Sequence, residues 1–116
     1  MTLNENWPMT FQVKYPESIR TRLLRLQSAV TSVGLQAEFV EVLKAIHKRL
    51  EDSPLEWGEQ QYTLRHVQLP ICIIARRFLS VNYAVDVIQR NVMVTKMRML
   101  DDHPFPAGFE KILNDI

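Results

Sequence analysis

Residues 79–86 read LSVNYAVD, and the period of this stretch decides the fold. Every second side chain is apolar, and the apolar set consists of Leu79, Val81, Tyr83 and Val85. The opposite parity consists of Phe78, Ser80, Asn82, Ala84 and Asp86. This alternation is typical of a half-buried β-strand, which we expect to run from Phe78 to Asp86. The first set is expected to face a core and the second set to face away from it.

Three further segments predict strands around this one. Residues 62–66 roughly alternate between apolar and polar, residues 69–75 form a continuous apolar run, and residues 92–100 are rich in Val and Met. The links at 76–77 and 88–91 have the length of hairpin connections. Three or four consecutive short strands with such links predict an antiparallel meander.

The N-terminal half predicts a strand followed by two helices. Residues 11–15 alternate as a short strand, and Pro16 and Glu17 then open a helix with apolar side chains at every third or fourth position. Those side chains are Ile19, Leu23, Leu26, Val30 and Val33. Gly34 is expected to end this helix, because glycine accepts the left-handed conformation that follows many helix ends. A second helical stripe precedes Pro54 and consists of Leu35, Phe39, Val42, Leu43, Ile46 and Leu50.

The order of these segments predicts the fold class and the domain organisation. We expect an α+β fold in which an N-terminal strand and an antiparallel two-helix hairpin precede a three- to four-stranded antiparallel meander, with the helices on one sheet face. A length of 116 residues is typical of one domain, here spanning 1–116. It includes an N-terminal arm at 1–10 and a C-terminal tail at 101–116, where a Pro-rich connection leads into a short helix at 109–116.

Composition excludes several classes of protein. Apolar residues make up 47% and charged residues 23%, which excludes a disordered or low-complexity chain. The longest apolar run, residues 69–75, is far shorter than the roughly 18 residues of a membrane-spanning helix, so no membrane partner is expected. A single cysteine, Cys72, excludes an internal disulfide, and no apolar stretch follows a basic N-terminus. We therefore expect a cytoplasmic protein.

No residue pattern indicates a metal, a cofactor or a nucleophile. The three histidines, His47, His66 and His103, lie far apart, and three isolated glycines cannot form a phosphate-binding loop. Cys72 lies within an apolar strand, where burial raises the pKa of a thiol and makes it unreactive. His47 stands four residues before Glu51, which predicts a residue on a helix surface.

The net charge of +1 conceals a basic segment. Residues 60–98 carry six basic side chains and one acidic one, and acidic segments flank them at 51–59 and 99–116. One interpretation is a basic surface made by the C-terminal half of the chain. The other is that Lys and Arg only keep an open sheet face in water and discourage pairing of its edges.

The parity of the last strand separates its cations from its methionines. One parity holds Val92, Val94, Lys96 and Arg98, and the other holds Met93, Thr95, Met97 and Met99. Because methionine is the better core residue, we expect Lys96 and Arg98 to face outward, beside Ser80 and Asn82. Three more arginines belong to the candidate surface: Arg65 on the polar parity of its strand, and Arg76 and Arg77 at a turn. Such cations can bind phosphates and stabilise charge on a scissile phosphate.

The order of elements resembles that of the RelE/ParE toxin superfamily, small proteins with a strand, a helix hairpin and a C-terminal antiparallel meander. Residues 79–86 look like that family's Tyr-Arg-Val-Ile-Tyr-x-Val-Asp strand, and residues 92–97, VMVTKM, look like its following Val-rich strand. The resemblance covers about residues 11–100, including the acidic stretch that ends in Trp57-Gly58. The family's strand arginine falls on Ser80, and its terminal Gly-His-Arg falls on residues 98–100, which are Arg-Met-Leu.

The resemblance implies a toxin or toxin relative that acts on RNA at the ribosome, as a metal-independent endoribonuclease without a cofactor. Arg65, Lys96 and Arg98 are the catalytic candidates, and Arg76, Arg77 and Asn82 are the candidates for nucleic-acid binding. The partner it implies is an antitoxin-like peptide or protein. The alternative is a non-catalytic protein-interaction module on the same scaffold, which forms a homo-oligomer or binds a partner. Ser80 in place of arginine, and the missing Gly-His-Arg, favour this alternative.

Overall fold

The computed structural model describes residues 10–57, 59–64 and 69–114, and their elements follow the predicted order. The strands are β1 (Gln12–Lys14), β2 (Glu59–Leu64), β3 (Leu69–Arg76), β4 (Leu79–Asp86) and β5 (Asn91–Met99). The helices are α1 (Glu17–Ser32), α2 (Gln36–Asp52), α3 (Pro54–Trp57) and α4 (Glu110–Asn114). The short helix α3 was not predicted. It begins at Pro54, a residue that is well tolerated at the first position of a helix.

The strands form one mixed sheet in the order β1-β5-β4-β3-β2. Strands β2 to β5 are the predicted antiparallel meander, and each pairs with the next along the chain. Strand β1 pairs with the start of β5 in parallel, with Val13 opposite Val92. The α+β fold with an N-terminal strand, a helix hairpin and a four-stranded meander is therefore confirmed.

The helix hairpin supplies one side of the core. Gly34 has a φ of +78°, and the amide of Leu35 donates to the carbonyl of Val30, so the chain reverses directly after α1. The buried helix residues are Ile19, Leu26, Val30, Phe39, Val42, Ile46 and Leu50, and they cluster with all four predicted core residues of β4. Tyr83 is fully buried there, and its hydroxyl donates to the carbonyl oxygen of Pro54 at 2.6 Å. Val33, which was predicted on the apolar face, lies past the end of α1 and is 44% exposed.

A β-bulge in β5 overturns part of the predicted parity. Tyr83 lies opposite Val94 while Asn82 lies opposite Lys96, so Thr95 is an extra residue with no register partner on β4. The strand therefore buries Val92 and Val94 before the bulge and Met97 and Met99 after it. The prediction that Met93 belongs to the core is wrong, since Met93 is 42% exposed. Lys96 and Arg98 face outward as expected. The extra residue Thr95 shifts the alternation of faces by one position after Val94, so both cations share the face of Asn82 and Ser80.

The C-terminal tail contributes side chains to the core. Phe105, within the Pro-rich connection, is buried and meets the rings of Phe39 and Phe78 edge to face, with centroids 6.3 and 5.0 Å away. Phe78 therefore precedes β4 as a core residue and does not lie on the outer face, where its parity had placed it. The side chain of Asn114, in the predicted terminal helix, bonds both the amide and the carbonyl of Met99 at 2.7 and 2.9 Å.

Candidate functional site

The sheet face opposite the helices carries the candidate site. Arg98 lies opposite Ser80 in the register, and Lys96 lies opposite Asn82. Both cations are exposed, and both polar partners on β4 are partly exposed. Alternate residues of a strand are roughly 7 Å apart. The site therefore offers two cationic side chains from backbone positions at that spacing, with hydrogen-bonding side chains beside them.

Ion pairs to this pair of cations can be assessed for the carboxylates whose side chains the structure describes. Neither Lys96 nor Arg98 takes part in an ion pair between described residues. Asp86, the acidic residue of β4, lies six positions from Ser80, roughly 20 Å along the strand. Its carboxylate accepts a hydrogen bond from the amide of Gln89 at 3.1 Å. Among the described side chains, no carboxylate therefore compensates either cation.

Between this pair and Asp86, the same face carries apolar side chains. Ile71 and Ala84 are opposite each other in the register and are buried, although they lie outside the main core cluster. Met93 pairs with Ala84 on the next strand and is exposed. Along β4, the outward positions are therefore polar at Ser80 and Asn82, apolar at Ala84 and acidic at Asp86.

The structure places the predicted site residues in two different parts of the molecule. Arg77 occupies a left-handed turn position with a φ of +55° and makes an ion pair with Glu41 of α2 at 3.5 Å. Arg76 is exposed at the end of β3, where its register partner is the core residue Leu79. Arg77 is therefore held toward the helices, whereas Asn82, Lys96 and Arg98 lie together. Arg65 lies outside the described residues.

The buried thiol of Cys72 takes no part in this surface. It lies opposite Tyr83 in the register, on the core face of the sheet. Burial raises the pKa of this thiol, and its hydrogen bond with Tyr83 opposes that shift only in part. The thiol therefore stays protonated at neutral pH, as the sequence predicted. In the part of the chain that the structure describes, no three metal-ligating side chains cluster together.

A second cluster of polar groups lies at the far end of the helix hairpin and was missed in the sequence. The hydroxyl of Tyr15 is 2.7 Å from Nδ1 of His47, and Nε2 of His47 is 3.2 Å from a carboxylate oxygen of Glu51. A neutral His47 with its proton on Nε2 satisfies both contacts, since it accepts from Tyr15 and donates to Glu51. Burial, with a smaller contribution from the charge of Glu51, raises the pKa of Tyr15 to about 12.

The stability of the protein is expected to fall between about pH 10 and pH 12 through Tyr15. The hydroxyl ionises near pH 10 in the unfolded chain but only near pH 12 in the folded one, so the unfolded state loses its proton first. The contribution is complete below pH 10 and disappears as the pH rises through 12. Urea unfolding at pH 9 and pH 11.5 measures it. Tyr15→Phe should lose less free energy of unfolding over this interval than the wild type, and equal losses would contradict the assignment.

Comparison with known proteins identified no relative of this chain. No family model, no characterised protein and no solved structure matches the chain. Over the described residues, no helix has both the length and the hydropathy of a membrane-spanning helix.

Proposed function

We propose that the chain is a RelE/ParE-like toxin, or a relative of one, that contacts the RNA backbone through Lys96 and Arg98. The observation that carries this proposal is the pairing of two exposed, uncompensated cations on one sheet face, each opposite a polar side chain of β4. The order of the strands and helices supports the scaffold that the resemblance implies. Phosphate contacts of this kind position RNA without reading its bases.

The chemistry that these groups can supply is binding and charge stabilisation. The planar guanidinium of Arg98 can donate two hydrogen bonds to one phosphate, and the ammonium of Lys96 adds a point charge beside it. During in-line attack by a ribose 2′-hydroxyl, such donors stabilise the negative charge that develops on the phosphate oxygens. Arginine stays protonated near neutral pH, so it does not serve as the base that activates the hydroxyl.

The alternative function, a non-catalytic interaction module, has its own support. On the described part of this face, no histidine, tyrosine or carboxylate stands beside Lys96 and Arg98 to move a proton. Ser80 lies opposite Arg98, where a further cation would have completed a phosphate-binding cluster. A module of this kind would keep the cationic face for an acidic partner, such as the antitoxin-like peptide that the resemblance implies. The two functions therefore share a surface and differ in whether RNA is bound and cut.

Reversing both charges is expected to weaken RNA binding. We expect Lys96→Glu/Arg98→Glu to weaken binding of a fluorescent single-stranded RNA at least tenfold, because two attractive contacts become repulsive. The logarithm of the affinity should also depend less steeply on the logarithm of the salt concentration, by about 0.7 for each phosphate that the variant no longer neutralises. Fluorescence anisotropy at several salt concentrations measures both quantities.

The matched control is Arg25→Glu/Lys111→Glu, which makes the same change of net charge at exposed positions on α1 and α4. If the control weakens binding as much as the sheet variant, only net charge matters and the proposed surface is wrong. Expression of the wild-type protein in cells, with mapping of transcript ends, then separates the two functions. New transcript ends that disappear in Lys96→Glu/Arg98→Glu support a nuclease, whereas intact transcripts favour the interaction module.

A further inference from the structure

The open end of the helix hairpin contains a groove of about 510 Å³ that the proposed function does not use. It lies between the first half of α1 and the second half of α2, on the helix side of the molecule. Its apolar lining consists of Leu23, Leu24 and Leu43. Its polar lining consists of Tyr15, Arg20, Lys44, His47, Lys48 and Glu51. A cavity of this size, apolar with a few convergent polar groups, is typical of a small-molecule site.

The apolar lining of the groove is partly exposed to solvent. Leu24 is 67% exposed, although it is a large aliphatic residue on a helix with a well-defined buried face. Leu23 and Leu43 are half-buried and pack against the core from the same side. The stacked rings of Tyr15 and His47, with centroids 5.8 Å apart, line the groove next to these leucines. An apolar ligand tail would therefore cover leucine and aromatic surface together.

The rim of the groove is cationic. Arg20 on α1 and Lys44 on α2 are both exposed, and neither makes an ion pair with a carboxylate of the described residues. Lys48 is paired with Asp52 at 3.2 Å, so its charge is compensated. The one carboxylate among the lining residues, Glu51, is engaged by His47 at 3.2 Å. Two cations without an ion pair to a described carboxylate, one from each helix, therefore line the groove.

The apolar patch is too short for a docked helix. A helix in a groove needs anchors over about two turns, at i, i+3, i+4 and i+7. Beyond Leu24, however, the outward positions of α1 are the polar residues Gln27, Ser28 and Thr31. The apolar lining covers about one helical turn. This length fits one alkyl chain but not the apolar face of a bound helix.

We propose that this groove binds a small organic anion with one aliphatic tail, of the chemical class of a medium-chain alkyl carboxylate. The tail lies on Leu23, Leu24 and Leu43, and the carboxylate meets Arg20 and Lys44 at the rim. The site is independent of the RNA proposal, because it uses none of the residues on the sheet face.

Isothermal titration with octanoate, decanoate and dodecanoate, each below the concentration at which it forms micelles, tests the proposal. Affinity should rise with each added methylene, by up to about fourfold where the methylene is fully buried. We expect Arg20→Gln/Lys44→Gln to weaken dodecanoate binding at least tenfold and Leu24→Ser to weaken it severalfold. These positions are exposed, so the variants should fold, and circular dichroism checks that they do.

The control variant is Arg25→Gln/Lys111→Gln, which removes two exposed charges outside the groove and should leave binding unchanged. Equal affinity for dodecyltrimethylammonium would show unspecific binding of detergent and overturn the proposal. Binding to phosphatidylglycerol vesicles but not to free dodecanoate, with the same dependence on Arg20 and Lys44, would assign the groove to a lipid surface instead. Binding of an acidic amphipathic helical peptide in place of dodecanoate would assign it to a protein partner.

Discussion

Deletion of Asn82 is expected to leave a chain that no longer unfolds cooperatively. Asn82 lies in the middle of β4, and its removal changes the parity of every residue on one side of the deletion. Either Tyr83 and Val85 or Leu79 and Val81 would then turn away from the helices. All four are fully buried, and loss of each large core side chain costs about 2–5 kcal/mol. Two such losses remove most of the roughly 5–15 kcal/mol that stabilises a domain.

Deletion of Thr95, by contrast, is expected to leave the fold intact. Thr95 is the unpaired residue of the bulge in β5, and the remaining strand reads VMVKMRM from Val92 to Met99. In that sequence Val, Val, Met and Met alternate with Met, Lys and Arg, so every buried residue stays buried. The loss is limited to local hydrogen bonds, including the one that the Thr95 hydroxyl donates to the carbonyl of Asn82 at 3.2 Å.

Thermal and urea unfolding followed by circular dichroism compares the two deletions, which remove one polar residue each from neighbouring strands. A cooperative transition for the variant without Thr95, and none for the variant without Asn82, is the expected result. If both variants unfold cooperatively with similar midpoints, the register of β4 against the helices is not as described. If both fail to fold, the bulge itself is essential to the sheet.

The bulge also shows which part of the fold could not be predicted from the sequence. Alternation in residues 79–86 and helical spacing in residues 17–50 predicted the elements, because each pattern is local and records which face is buried. A bulge adds one residue to a strand, and the local sequence does not reveal it, because Val, Met and Thr all occur in regular strands. Val92, Met93 and Val94 were therefore placed on the wrong faces. Placing them correctly requires the partner strand, where Tyr83 meets Val94.

The candidate site divides in the same way. Lys96 and Arg98 could be predicted as an outward pair, because they stand two positions apart in one strand, after the bulge. The ion pair of Arg77 with Glu41 could not, since the two residues are far apart in sequence and meet only when the hairpin docks on the sheet. The contact of Tyr15 with His47 likewise joins residues 32 positions apart. The only local sign of this cluster is the spacing of four between His47 and Glu51.

Phe105 shows how a residue in a predicted connection becomes a determinant of stability. It lies between Pro104 and Pro106, where the frequency of proline indicates only an irregular segment. In the structure its ring is 5% exposed, meets Phe39 and Phe78 edge to face, and stacks on the ring of His103. His103 is itself held by the carboxylate of Glu110 at 2.7 Å, an interaction that lowers the pKa of Glu110. The ring therefore joins α2, the start of β4 and the C-terminal tail.

Replacement of this ring by a methyl group is expected to lower the free energy of unfolding by about 3–5 kcal/mol. The reason is the loss of buried aromatic surface together with a cavity between elements that are far apart in the chain. Urea unfolding of Phe105→Ala measures the loss, and Phe105→Leu, which keeps part of the volume, should lose less. Asp102→Ala is the control from the same segment, because Asp102 is exposed and should change stability by less than about 0.5 kcal/mol. If Phe105→Ala matched that control, the tail would not be part of the core, and the position of α4 against β5 would need another cause.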